Sequence, residues 1–181
     1  MKKMKTLFVV KYPEKQITRE VSQGCEWVIN GEGTAYRKRD GSACFIQNQT
    51  FYKRYDAKKG RTAPDGFIQC GEPDEITGHH PGWVPVLDSD KWHLEALRYT
   101  LYLIDNTTYE LCGPKVNSNR EQLEHHILIP HNAEPIRDFP RDFDGIKAYF
   151  EDNPNIEGVV WHHPDGRMCK IRLKDFGIKR R

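Results

Sequence analysis

A chain of 181 residues, 37% hydrophobic and 30% charged, is long enough to bury a core and lies on the polar side of globular composition. No apolar run approaches the ~20 residues of a membrane-spanning helix, which excludes that class and leaves no membrane among the expected partners. The formal charge of +2 selects no partner by itself, so the distribution of charge along the chain has to be read.

The N-terminal Met1-Lys2-Lys3-Met4-Lys5, followed by Leu7-Phe8-Val9-Val10, mimics a signal peptide. Its apolar stretch is short and ends at Lys11, so residues 5–11 read as a first strand. Further short strands, bounded by Gly, Asp, Asn or Pro, are expected at 34–38, 43–47 and 66–70. Ser89-Asp90 precedes Lys91-Trp92-His93-Leu94-Glu95-Ala96-Leu97, a helix start with Ser or Asp as its N-cap. Strands are expected again at Thr100–Ile104 and Thr107–Cys112, and short helices at 117–126 and 142–153. In the last of these Phe143, Ile146, Tyr149 and Phe150 fall at helical spacing, the pattern of a core face. Residues 157–163 and 167–173 form a hairpin around Pro164-Asp165-Gly166, a turn in which each residue has a backbone reason to be there. Alternation then puts Lys170, Arg172 and Lys174 on one face of the second strand and Cys169, Ile171 and Leu173 on the other. On the first strand Glu157, Val159 and Trp161 share a face. Strands and helices without regular βαβ alternation give an α+β fold of largely antiparallel sheet, as one domain over residues 1–181.

Cys25, Cys44, Cys70, Cys112 and Cys169 are scattered and form no C-x-x-C pair, which suits reduced thiols in a cytoplasmic protein. The pairs His79-His80, His125-His126 and His162-His163 have no zinc-ligand spacing. Between Tyr36 and Arg61 eight cations (Arg37, Lys38, Arg39, Lys53, Arg54, Lys58, Lys59, Arg61) face only Asp40 and Asp56. That segment can face an anion such as a phosphate chain or a nucleic-acid backbone; a solvated loop is the plainer reading. Trp83 and Trp92, beside cations, suit either stacking on unpaired bases or ordinary burial.

One ordered set of short motifs runs through the chain. Lys38-x-Asp40-Gly41 is followed by Phe51-Tyr52-Lys53-Arg54, by "TYELCGP" at 108–114, by Glu157-Gly158-Val159-Val160 and by Lys170-Ile171-Arg172. Their order resembles the covalent nucleotidyltransferase superfamily of ATP-dependent RNA ligases, DNA ligases and mRNA capping enzymes. The segments "GHHPGWVPV", "YELCGP" and "EGVVWHHPDGRMCKI" resemble most the stand-alone RNA ligases related to the vertebrate 5′–3′ RNA ligase. The resemblance implies a nucleotidyltransferase (adenylation) domain that uses ATP with Mg²⁺ or Mn²⁺ and joins RNA 5′-phosphate and 3′-hydroxyl ends. Lys38 would be the nucleophile that takes AMP, and Glu157 would act near the metal or the nucleophile. Lys170 and Arg172 would hold the α-phosphate, with Lys174 in place of Lys170 if the closing motif is Arg172-x-Lys174. Arg54 and Glu110 would contact the ribose; Asp40 would brace the turn beside Lys38. Phe139, Ile127 and Ile129 are candidates to stack on adenine.

The chemistry accounts for these residue types. A lysine attacks phosphorus only as the neutral amine, which neighbouring cations, partial burial or a bound metal favour. On the resemblance, Arg37, Arg39 and the Lys170/Arg172 face would do so, with Arg37 also meeting the nucleotide. Transfer itself is positioning and charge stabilisation. DNA ligases and capping enzymes generally carry a C-terminal OB-fold domain, for which the stretch after Lys174 leaves no room; this favours an RNA ligase. RNA would then be held by the N-terminal lysines, the 36–61 segment and Lys179-Arg180-Arg181. A GTP-using guanylyltransferase, a small DNA ligase, and an RNA-binding protein without the chemistry are the alternatives.

Overall fold

The computed structural model describes residues 4–14, 16–74 and 77–181, so the expected RNA contacts Lys2 and Lys3 lie outside the described residues. In chain order the elements are β1 (Lys5–Thr6), β2 (Phe8–Lys11), β3 (Gln16–Val21), α1 (Glu26–Ile29), β4 (Thr34–Lys38), β5 (Ser42–Gln47) and β6 (Thr50–Ala57). They continue with β7 (Ile68–Gln69), β8 (His80–Pro85), α2 (Lys91–Tyr99), β9 (Thr107–Cys112), β10 (Ile127–Pro130), α3 (Phe143–Asp152), β11 (Gly158–His162) and β12 (Met168–Arg172). The fold is mixed α+β and mostly antiparallel. It gathers into two compact units, Asp40–His131 and Met4–Arg39 with Asn132–Arg181. Among the described residues no helix is long and apolar enough to cross a membrane.

The unit made of Met4–Arg39 and Asn132–Arg181 is built on a four-stranded sheet in the order β1-β12-β11-β4. Val159, Trp161 and Ile171 are fully buried on one face of it, with Ile146 and Phe150 of α3. Asp142 caps α3, its side chain accepting from the Gly145 N–H. The hairpin turn forms as expected: Asp165 accepts the Arg167 N–H at 3.0 Å and Gly166 takes a positive φ of 89°. The strand expected at 5–11 divides at Leu7. Lys5–Thr6 run parallel to β12, Leu7 is buried, and Phe8–Lys11 then pair with β3. A buried side chain at the crossover and two different partners leave no single strand.

The Asp40–His131 unit carries a six-stranded sheet in the order β10-β9-β5-β6-β8-β7. Cys44, Ile46, Tyr109, Leu111 and Leu128 bury one face against Ala96 of α2. Two expected elements are absent. Thr100–Ile104 is not a strand: Leu101 is 88% exposed, and both backbone groups of Ile104 go to the Tyr109 hydroxyl rather than to a ladder. Residues 117–126 are not a helix. Asn117, Ser118, Asn119 and Gln122 adopt positive φ, a conformation Asn tolerates well and no α-helix contains. Asp90 heads α2 but its side chain does not cap it; its carboxylate takes the Leu87 N–H at 2.8 Å and contacts Lys53 Nζ.

Candidate active site

In the four-stranded sheet the ladder pairs Gly158 with both Lys38 and Arg172, and Val160 with both Tyr36 and Lys170. Residues opposite one another share a face, so Lys38, Lys170 and Arg172 stand together on the face turned away from the core. Gly158 lies in the row between two of them. A Cβ there would sit 2.3 Å from the Ile171 carbonyl oxygen and 2.8 Å from Arg172 Cα, so only glycine lets β11 lie this close to β12.

Lys38 Nζ donates to Glu157 Oε2 at 2.5 Å. Glu157 therefore does not follow Val159 and Trp161 onto the core face, as a strand over 157–163 requires; β11 begins one residue later, at Gly158. Arg172 is held in place by Asp175, which is buried. One carboxylate oxygen accepts from Nη2 at 2.8 Å and the other from the Arg172 N–H at 2.8 Å. Among the described residues the Lys170 amine has no such partner. Burial, then the charges of Arg172 and Lys38, lower its pKa to about 8. Lys174 leaves the row: β12 ends at Arg172, and Lys174 is exposed in a 3-10 turn over Leu173–Phe176. The pair presented with Lys38 is Lys170 and Arg172.

Arg37 does not join them. It pairs with Val159 on the opposite face, where its guanidinium lies 3.9 Å from Glu134 Oε2. Arg39 also contacts Glu134. The two arginines flanking Lys38 thus share one carboxylate, a partner the sequence does not announce. Phe139 is buried among Tyr149, Phe150 and Trp161, which removes it as an adenine-stacking side chain.

In the Asp40–His131 unit the register places Ile127, Ile129, Glu110, Ala43, Phe45, Tyr52 and Arg54 on one face of the six-stranded sheet. Glu110 accepts the Gly41 N–H at 3.1 Å and lies 2.7 Å from His131 Nε2, whose Nδ1 is 2.9 Å from Thr108 Oγ1. Gly41 approaches β9 so closely that a Cβ would meet the Leu111 carbonyl oxygen at 2.2 Å. Asp40 accepts from the Asn117 side chain at 2.9 Å. Arg54 reaches Asp56 at 2.9 Å and lies over the ring of Trp83. Trp83 is buried, whereas Trp92 is half exposed and stacks on His126. His131, Glu134 and Asp175 carry no sequence signal beyond their type; each becomes visible only through the partner it holds.

The family described as RNA ligase 1 matches residues 90–180, half of the chain, a span that includes Glu110, Glu157, Lys170 and Arg172. RNA ligase 1 of Danio rerio is 33% identical, the match covering 59% of this chain and 43% of the relative. RNA ligase 1 of Pongo abelii is 31% identical over 65% of this chain and 49% of the relative. That of Mus musculus is 30% identical over 89% and 66%. The chain spans about half the length of the first two relatives. By the extent of these matches the chain belongs to the RNA ligase 1 family.

Proposed function

We propose that residues 1–181 act as a nucleotidyltransferase (adenylation) domain of an ATP-dependent RNA ligase, which joins RNA 5′-phosphate and 3′-hydroxyl ends through lysyl-AMP. The observation that carries the reading is the 2.5 Å contact of Lys38 Nζ with Glu157 Oε2, on a sheet face that also presents Lys170 and Arg172. The proton on Lys38 leaves to Glu157, the base within hydrogen-bond reach. The freed amine attacks the α-phosphorus of ATP, a P–N bond forms, and the P–O bond to pyrophosphate breaks. Arg172, aimed by Asp175, offers a planar fork to the phosphate oxygens; Lys170 offers a point charge. An RNA 5′-phosphate oxygen then displaces Lys38 and takes the AMP. Finally the 3′-hydroxyl attacks the RNA 5′-phosphorus and AMP departs. Arg54 and Glu110 keep the ribose-contacting role that the motif order implies.

Mg²⁺ keeps several waters and takes few carboxylates beside substrate phosphates. The Glu157 side chain, 19% exposed, supplies a hard oxygen donor of that kind and would hold Mg²⁺ or Mn²⁺. The ion would supply charge compensation for phosphate oxygens.

The test is intact-protein mass after incubation with ATP and Mg²⁺, beside GTP and Lys38→Ala. A gain of one AMP with ATP that is absent from the variant is the expected result. A GMP adduct would move the assignment to guanylyl transfer. No adduct on folded, initially unmodified protein would sink the nucleophile.

A further inference from the structure

The unit that carries Lys38 also holds a cavity of about 580 Å³ that the chemistry above does not use, lined by Arg37, Glu134, Arg137, Tyr149, Asn153 and Asn155 among others. It opens on the core side of β4: Arg37 alternates with Lys38 and so faces away from it. Its size is that of a pocket for one nucleotide-sized group. Pro135, Ile136 and Ile156 give it apolar walls.

A second, independent feature converges on the same place. Arg180 Nε donates to the Asn155 carbonyl at 2.8 Å, and the Arg181 N–H donates to the Pro154 carbonyl at 2.9 Å. The basic segment Lys179-Arg180-Arg181 is thereby fastened beside the residues that form the cavity's rim. Arg37 and Arg137 line the cavity, and the Arg180 side chain reaches the backbone of Asn155 at its edge. The carboxylate in its lining, Glu134, is divided between Arg37 and Arg39. A phosphate seated in the cavity meets Arg37 and Arg137, and further phosphates of the same strand can follow toward the fastened Lys179-Arg180-Arg181 segment. Asn155 and Tyr149 add the amide and hydroxyl that sugar and phosphate oxygens use.

From this we infer that the cavity and its basic rim bind the phosphodiester backbone of an RNA strand, on the sheet face opposite Lys38. The inference deepens the RNA ligase reading and rests on it for the choice of RNA. The test is fluorescence anisotropy of the full chain with a labelled single-stranded RNA of about ten nucleotides, without ATP, across a salt series. Arg137→Ala is compared with Lys147→Ala, which removes the same charge from the exposed side of α3. Loss of Arg137 should weaken binding about fivefold or more and reduce the slope of log K against log salt by about 0.7. The Lys147 variant should stay near wild type. Adenylation by ATP, read by mass, should be unchanged in Arg137→Ala. Equal affinity in the two variants, or no RNA binding by the wild-type chain, overturns the site. Arg137-dependent RNA binding in a protein that forms no AMP adduct would uphold the site and remove the adenylation reading instead.

Discussion

Replacing Gly158 by Ala tests the packing that brings the cationic row together. The added Cβ would lie 2.3 Å from the Ile171 carbonyl oxygen and 2.8 Å from Arg172 Cα, where ordinary contact is about 3.5 Å. Both obstacles are backbone, so no side-chain rotation relieves the overlap; β11 and β12 must part by about 1 Å at this point. The Leu173 N–H, which donates to the Glu157 carbonyl at 3.0 Å, lies directly beside the strain. Overpacking of this kind costs about 1–3 kcal/mol, which urea unfolding reads as a lower midpoint. The functional cost should exceed the structural one. Lys38 and Arg172 flank Gly158, and a misplacement of about 1 Å between reacting groups lowers rate about 10²-fold. Single-turnover formation of the AMP adduct on Gly158→Ala, followed by mass under conditions where the variant is folded, gives that number. A variant that forms adduct within twofold of wild type and unfolds at the same urea concentration would refute the close-approach account.

Glu157→Gln keeps the shape of the side chain but cannot take the Lys38 proton, so adduct formation should fall about 10²–10⁴-fold; a rate within a few-fold of wild type would remove Glu157 from proton transfer. Lys170 predicts a pH effect. Its folded pKa of about 8 lies below the ordinary 10.5, so between those values the unfolded chain binds more protons and this group's contribution to stability rises with pH. Below about pH 8 the buried charge opposes folding by at most about 3 kcal/mol. Lys170→Met should therefore raise the urea midpoint at pH 7, lose that advantage near pH 10.5, and slow adduct formation; an unchanged midpoint at pH 7 would contradict it.

The parts of the fold legible in sequence were those with a local cause. The 157–173 hairpin is written in Pro164-Asp165-Gly166 and in two alternating flanks; α3 is written in Asp142 and the spacing of Ile146 and Phe150. β6 and β8 are obscured by local composition: in β6 the strand-forming Phe51, Tyr52 and Tyr55 sit among charges, and β8 contains two prolines and a glycine. Lys53 and Arg54 read as part of a charged loop, and Pro81 and Pro85 bracket β8. Thr100–Ile104 shows the reverse: an apolar, strand-forming run that remains exposed because no ladder takes it. For the candidate site, Lys38, Glu157, Lys170 and Arg172 are singled out by the resemblance that their ordered motifs carry, not by spacing alone. Which of them share a face was only partly readable. Alternation predicts it inside a strand and fails at strand ends, which is where Glu157 and Lys174 lie. Charge partners separated by long stretches of chain, such as Glu134 with Arg39, leave no trace in periodicity.

The charges of this face also explain why it should tolerate poor local energetics. Lys38 has Glu157 and Arg172 has Asp175, so two of the three cations are matched. Lys170 is the third, half buried, without a hydrogen-bond or ion-pair partner among the described residues, and close enough to Arg172 and Lys38 for their charges to lower its pKa. In a fold selected for stability alone, an apolar side chain at that point of β12 would serve better, since burial already disfavours the charge of the lysine there. A lysine held in a position that depresses its own charge becomes intelligible if an anion completes the set. On an anion's arrival the depressed pKa rises, the amine is fully charged where negative charge must be met, and the energy withheld in the free protein appears as affinity. The destabilised charge of Lys170 and the Lys38 amine, which under the proposed mechanism gives its proton to Glu157, are then two halves of one arrangement: one cation waits for the anion that the other attacks.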